Sequence, residues 1–115
     1  MDIYEYYGED WNPLFDSEGW RIGMVRYGKR FSKWGEDEKH LLTDESFILL
    51  EGEATLYVEE ENFKMEKCKV YNVKKGEWHH ITVSPDATVL VVENSNTTRE
   101  NTEKRERKNA DSGNN

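Results

Sequence analysis

From residue 20 to residue 92 the chain alternates short runs of strand-forming residues with turns and shows almost no helical periodicity, which narrows its fold more than any other feature. Residues 46–50 are rich in strand formers and stop at Glu51-Gly52. Residues 54–58 follow, with the Thr, Tyr and Val that suit a pleated surface. Residues 59–62 make a polar turn, and residues 63–66 and 70–73 alternate apolar with polar side chains. Lys74-Lys75-Gly76-Glu77 turns the chain again, with Gly76 free to take a positive φ. A strand over residues 78–83, a Ser84-Pro85-Asp86 turn and a strand over residues 88–92 complete the run, which residues 20–27 open. Strands this closely spaced predict an all-β sandwich or barrel.

The two ends differ from this body. Residues 1–19 form an aromatic-rich arm containing Ile3, Tyr4, Tyr6, Tyr7, Trp11, Leu14 and Phe15, too much apolar surface to leave in water, so the arm is expected to pack on the barrel of residues 20–94. Residues 95–115 hold a single hydrophobe, Ala110. Such a segment cannot offset an ordering cost of about 1–2 kcal/mol per residue, and it reads as a disordered polar tail with at most transient helix near Thr97-Thr98-Arg99-Glu100.

Charge and composition exclude several functions. Lys and Arg number 16 against 24 Asp and Glu, a net charge of −8 concentrated in the body, which repels phosphate backbones and argues against nucleic acid as a partner. The longest apolar runs, residues 47–50 and 89–92, fall far short of the about 20 residues a membrane span needs. Met1-Asp2-Ile3-Tyr4-Glu5 is acidic where a secretory signal is basic, and the lone Cys68 allows neither an internal disulfide nor a multi-cysteine zinc motif. A reduced, cytoplasmic protein is the expectation.

Chemistry concentrates around two of the three histidines. His40 is followed by Thr43-Asp44-Glu45, then Phe47, Leu49-Leu50 and Gly52; farther on, Gly76-Glu77-Trp78-His79 closes a turn. This pattern resembles the cupin superfamily, small β-barrels of the jelly-roll type, and within it a branch of small single-domain bacterial cupins. The closing Val89-Leu90-Val91-Val92-Glu93-Asn94 is similar to theirs as well. The resemblance covers residues 20–94 and implies a cupin-like jelly-roll barrel with the N-terminal arm and the C-terminal tail outside it. It also departs from the family pattern in places. Glu38 stands where the first of two histidines is expected, Lys74 where a turn proline is, Cys68 where a glycine is, and Val83 where an asparagine is.

The resemblance implies metal ligands at His40, Glu45 and His79, with Glu38, of the same strand parity as His40, as a possible fourth. Two imidazoles and a carboxylate suit Fe, Mn, Co, Ni or Zn and leave open positions for water or substrate. Glu45, Phe47 and Leu49 share one strand face, as do His79, Ile81 and Val83, so the polar groups can converge at a barrel mouth. The same residues also read without a metal: His40 as a solvated loop residue, Glu45 as a turn end, His79 as a hydrogen-bonded core histidine. His80 is expected to face away, toward the surface or an interface, and Asp44 to point outward. Cys68, between Lys67 and Lys69, reads as an inert turn cysteine. Trp34, Phe47, Tyr71 and Trp78 can line a pocket or simply fill core. The expected function is binding of a small molecule at the mouth, with or without a divalent metal; the rival is a metal-dependent oxygenase or isomerase acting on a small organic substrate. Residues 47–50 are apolar on both faces, so their outer side needs cover, and a homodimer formed through sheet surface and the N-terminal arm is expected, the arm covering either its own barrel or its partner's.

Overall fold

The computed structural model describes residues 1–33 and 35–106. Ten strands follow in chain order: β1 (Asp10–Ser17), β2 (Trp20–Arg26), β3 (Glu36–His40), β4 (Glu45–Glu51), β5 (Ala54–Val58), β6 (Glu61–Lys64), β7 (Val70–Val73), β8 (His79–Val83), β9 (Thr88–Glu93) and β10 (Thr102–Glu106). They form two five-stranded antiparallel sheets, ordered β1-β2-β9-β4-β7 and β10-β3-β8-β5-β6. Short 3-10 turns at Lys29–Phe31 and Arg99–Asn101 lie outside the sheets.

Period-two alternation places the core between the sheets. On β4 the buried residues are Glu45, Phe47 and Leu49; on β9 they include Val89, Val91 and Glu93; on β8 His79, Ile81 and Val83. The register pairs Leu49 with Val89, Phe47 with Val91 and Glu45 with Glu93. Ala54 stands opposite Val83, Leu56 opposite Ile81 and Val58 opposite His79. The inward rows therefore run from an apolar floor to a polar end, and that end is built from the same strands that build the core. Burying each Val, Leu or Phe of the floor contributes about 1.5–3 kcal/mol.

The expected body strands are present, β5 and β7 with the expected bounds and the others within two residues at either end. Three further strands are not the ones the sequence pattern marks. β1 lies inside the N-terminal arm and pairs with β2, so the sheet begins before residue 20. Trp11 folds back over Gly23, where an added Cβ would overlap the indole, so the arm's ring reaches the core only because residue 23 has no side chain. Residues 1–9 carry no regular structure; Tyr4 stacks on Phe15 with centroids 4.9 Å apart, while Met1, Ile3 and Tyr7 stay exposed.

Of the other two, β3 makes His40 a strand residue instead of a loop residue, and β10 corrects the reading of residues 95–106 as disordered tail. β10 pairs with β3 along its full length, Thr102 opposite His40 and Glu106 opposite Glu36. Apolar content fails to mark it because one of its faces covers a polar cavity and the other is held by charge. Arg105 reaches the fully buried Asp37, Nε to Oδ2 3.2 Å, and its guanidinium lies 4.4 Å from the Trp78 ring that Lys39 covers from 4.6 Å. Residues 107–115 of that expected tail lie outside the described residues.

Candidate metal centre

His40 ends β3, Glu45 opens β4 and His79 opens β8. The turn after β7 locks their relative height: Gly76, at φ +85, donates its N–H to the His40 carbonyl at 2.8 Å. This is the left-handed conformation that glycine adopts without strain. Glu45 Oε1 lies 3.0 Å from His40 Nε2 and 3.0 Å from His79 Nε2, and the three side chains offer ligand atoms within 4.8 Å of one another. All three residues are buried.

The outer ring nitrogens decide what this cluster can hold. The His79 Nδ1 lies 3.2 Å from the Glu77 carbonyl oxygen, which only accepts, so Nδ1 carries the proton. The His40 Nδ1 lies 3.0 Å from Thr102 Oγ1, whose own hydrogen goes to the Thr98 carbonyl at 2.7 Å. The hydroxyl must therefore accept, and His40 Nδ1 is protonated too. In the neutral rings both Nε2 lone pairs then face the Glu45 carboxylate, three acceptors turned on one point. That arrangement is stable only with positive charge between them, either a proton on each ring or a metal ion. Ligands about 2.0–2.2 Å from a shared ion stand roughly 3 Å apart, which the observed separations match. The donor set fits a divalent metal.

Charges in the metal-free site follow the same logic. Burial alone would raise the Glu45 pKa, but the hydrogen bonds from His40 and His79 reverse this and hold it below the usual carboxylate range. For His79, burial favours the neutral ring and the Glu45 carboxylate outweighs it, so its pKa is raised. Glu93 is pushed up to about 8 by burial and by its hydrogen bond to Glu45, although the Arg21 Nη1 at 2.8 Å pulls the other way. Two adjacent carboxylates share one proton more easily than they share two charges.

A cavity of about 310 Å³ opens above the cluster, with Phe47, Ile81 and Val91 on its floor. Glu36 and Glu38 of β3, Thr102 and Lys104 of β10, and Thr97, Thr98 and Arg99 form part of its wall. Glu38 is close but occupied, with Oε1 4.0 Å from His40 Nε2 and Oε2 in an ion pair with Arg30 at 2.8 Å. Asp44 points outward, accepting from Asn72 Nδ2 at 3.0 Å and the Lys75 N–H at 2.9 Å. His80 corrects an expectation: it is buried, its Nε2 donating to the Lys33 carbonyl at 3.0 Å, because the Lys29–Phe31 turn folds over that face of β8. Of the aromatic candidates, Phe47 lines this cavity, while Trp78 sits between Lys39 and Arg105 and does not. The Tyr71 hydroxyl instead accepts from the Glu66 N–H at 2.9 Å, and Trp34 lies outside the described residues. Cys68, exposed and at φ +67, takes the left-handed conformation at the position where the resemblance implies glycine.

Sequence reasoning missed Glu93, Arg21, Thr98 and Thr102. Glu93 was detectable, since it shares the parity of Val89 and Val91 and so must face inward. Thr102 has no local signal.

A two-sheet antiparallel barrel with a two-histidine, one-carboxylate cluster at one end defines a class of β-barrel proteins. Comparison with solved structures places the chain within it: this is the cupin fold. A cupin-2 domain protein of Shewanella frigidimarina is 21% identical, with a TM-score of 0.61 over 76% of this chain and 84% of the other. A variant of Streptomyces PAC13, in a structure with uridine, gives 0.69 at 8% identity over 89% and 84%. The dimethylsulfoniopropionate (DMSP) lyase DddQ of Ruegeria pomeroyi gives 0.61 at 15% identity over 75% and 46%. No family model and no curated protein matches the sequence. No helix among the described residues is long and apolar enough to cross a membrane.

Proposed function

We propose that the protein binds a divalent first-row metal through His40, Glu45 and His79 and uses the open coordination positions to hold a small organic molecule in the cavity above. The supporting observation is the commitment of both Nδ1 atoms to acceptors, which turns two Nε2 lone pairs onto one carboxylate. Fe, Mn, Co, Ni and Zn all suit such a set. Glu38 becomes a fourth ligand if its carboxylate leaves Arg30. The test is elemental analysis of untagged protein prepared without chelator. The wild type should retain close to one metal per chain and His79→Ala almost none, with an unchanged circular dichroism spectrum. Equal metal in both overturns the reading.

A catalytic role is the second reading, an oxygenase or isomerase acting on the bound molecule. It is favoured by the cavity that His40, Glu45 and His79 line, which leaves room for a substrate beside the three side chains. Mass spectrometry of a bound ligand after incubation separates the two, because a binding module returns it unchanged. The free Cys68 suits the reducing cytoplasm, and two copies of the chain are proposed to pair through the outer face of the β1-β2-β9-β4-β7 sheet.

A further inference from the structure

We propose that the organic ligand of this site carries a carboxylate and that Arg99 binds it. The proposal rests on the metal reading above for where the ligand sits, but its own observation is the charge pattern of the cavity wall. Four cationic residues line the cavity. Arg21 is held by Glu93 at 2.8 Å and Asp16 at 2.9 Å, and it also donates to the Ser95 and Thr97 carbonyls. Arg30 is held by Glu38 at 2.8 Å; Lys104 lies 3.9 Å from Glu38 and 4.0 Å from Glu36. Arg99 alone has no hydrogen bond or ion pair to a side chain among the described residues.

Its backbone, in contrast, is fixed. Asn101 Oδ1 accepts the Thr98 N–H at 3.0 Å, Asn101 Nδ2 donates to the Asn96 carbonyl at 2.8 Å, and Thr102 ties the segment to His40. Arg99, a lining residue of the cavity that the metal-type cluster also lines, stands on an anchored turn without a side-chain partner among the described residues, which makes it a preformed place for an anion. The fork of N–H donors matches a carboxylate in bidentate fashion. One uncompensated cation suits one negative charge; a phosphate, at about −1.5 to −2, would need the other cations, which carboxylates already hold. The chain's net charge of −8 gives no long-range attraction for anions, so the recognition has to be local. At about 310 Å³ the cavity stands at the small end of the roughly 300–1,000 Å³ range of ligand sites.

The test is calorimetric titration of the metal-loaded full chain with acids of two to six carbons and their amides, with inorganic phosphate, and with uridine as a neutral probe. At least one acid should bind ten or more times tighter than its amide. Arg99→Gln should erase that preference and Arg99→Lys restore part of it, with metal content equal in all three proteins. Acids and amides binding alike, an Arg99→Gln protein as selective as wild type, or phosphate or uridine binding tighter than every acid each overturns the proposal. A chain that holds no metal yet prefers acids through Arg99 sinks the metal reading and supports this one. A metal-loaded chain indifferent to ligand charge does the reverse.

Discussion

His40 Nδ1 and Thr102 Oγ1 stand 3.0 Å apart across the β3–β10 pair, so a hydroxyl from the C-terminal segment sets the proton on a candidate metal ligand 62 residues earlier. Thr102 passes its own hydrogen to the Thr98 carbonyl, which leaves the hydroxyl only the accepting role. Partners of this kind typically cost 10–100-fold in metal affinity when removed. Thr102→Val, which keeps the shape and the strand, should therefore weaken binding about tenfold or more in competition with a chelating dye. Thr102→Ser should stay near wild type. Equal affinity in all three would show that strand pairing alone orients the ring.

In the metal-free protein, stability should fall as pH rises from about 5 to 8. Glu93 has its folded pKa raised from 4.5 to about 8, so the folded state holds a proton there that the unfolded chain releases, and stability drops across that interval. His79 is also raised above 6.5 and adds to the loss as pH climbs through its folded value. Glu45 has the opposite sign: its contribution is present above about 4.5 and disappears only as pH falls well into acid. Melting temperatures in EDTA should therefore peak near pH 5. Glu93→Gln should flatten the slope up to pH 8, and added metal should raise the melting temperature most at the alkaline end. A profile that rises steadily to pH 8 without metal would contradict these assignments.

The outer face of one sheet carries an apolar row. Met24, Leu90, Ile48 and Val70 are successive register partners on β2, β9, β4 and β7, and Val70 is 66% exposed at the row's end. Leu50 is exposed nearby. A two-fold dimer burying about 1,200 Å² or more through this face should sediment at twice 13.6 kDa at tens of micromolar. Val70→Lys should shift it to the single-chain mass without changing the fold. A wild-type species of 13.6 kDa would refute the pairing.

The amino-acid sequence alone determined the alternating strands of the body, because one face of each is buried and a period of two then shows in the side chains. Phe47 and Leu49, Ile81 and Val83, Val89 and Val91 announce their own faces, and the parity that buries them carries Glu45 and His79 inward. Only the tertiary structure decided β3 and β10. Glu36–His40 and Thr102–Glu106 hold no apolar residue between them, so nothing local distinguishes them from solvated loop. Their stability comes from partners far away in the chain: Asp37 with Arg105, His40 with Thr102, Trp78 beneath two cations. A strand that borders a polar cavity needs no hydrophobe, and pairing between residues more than sixty positions apart leaves no periodic signal in either segment.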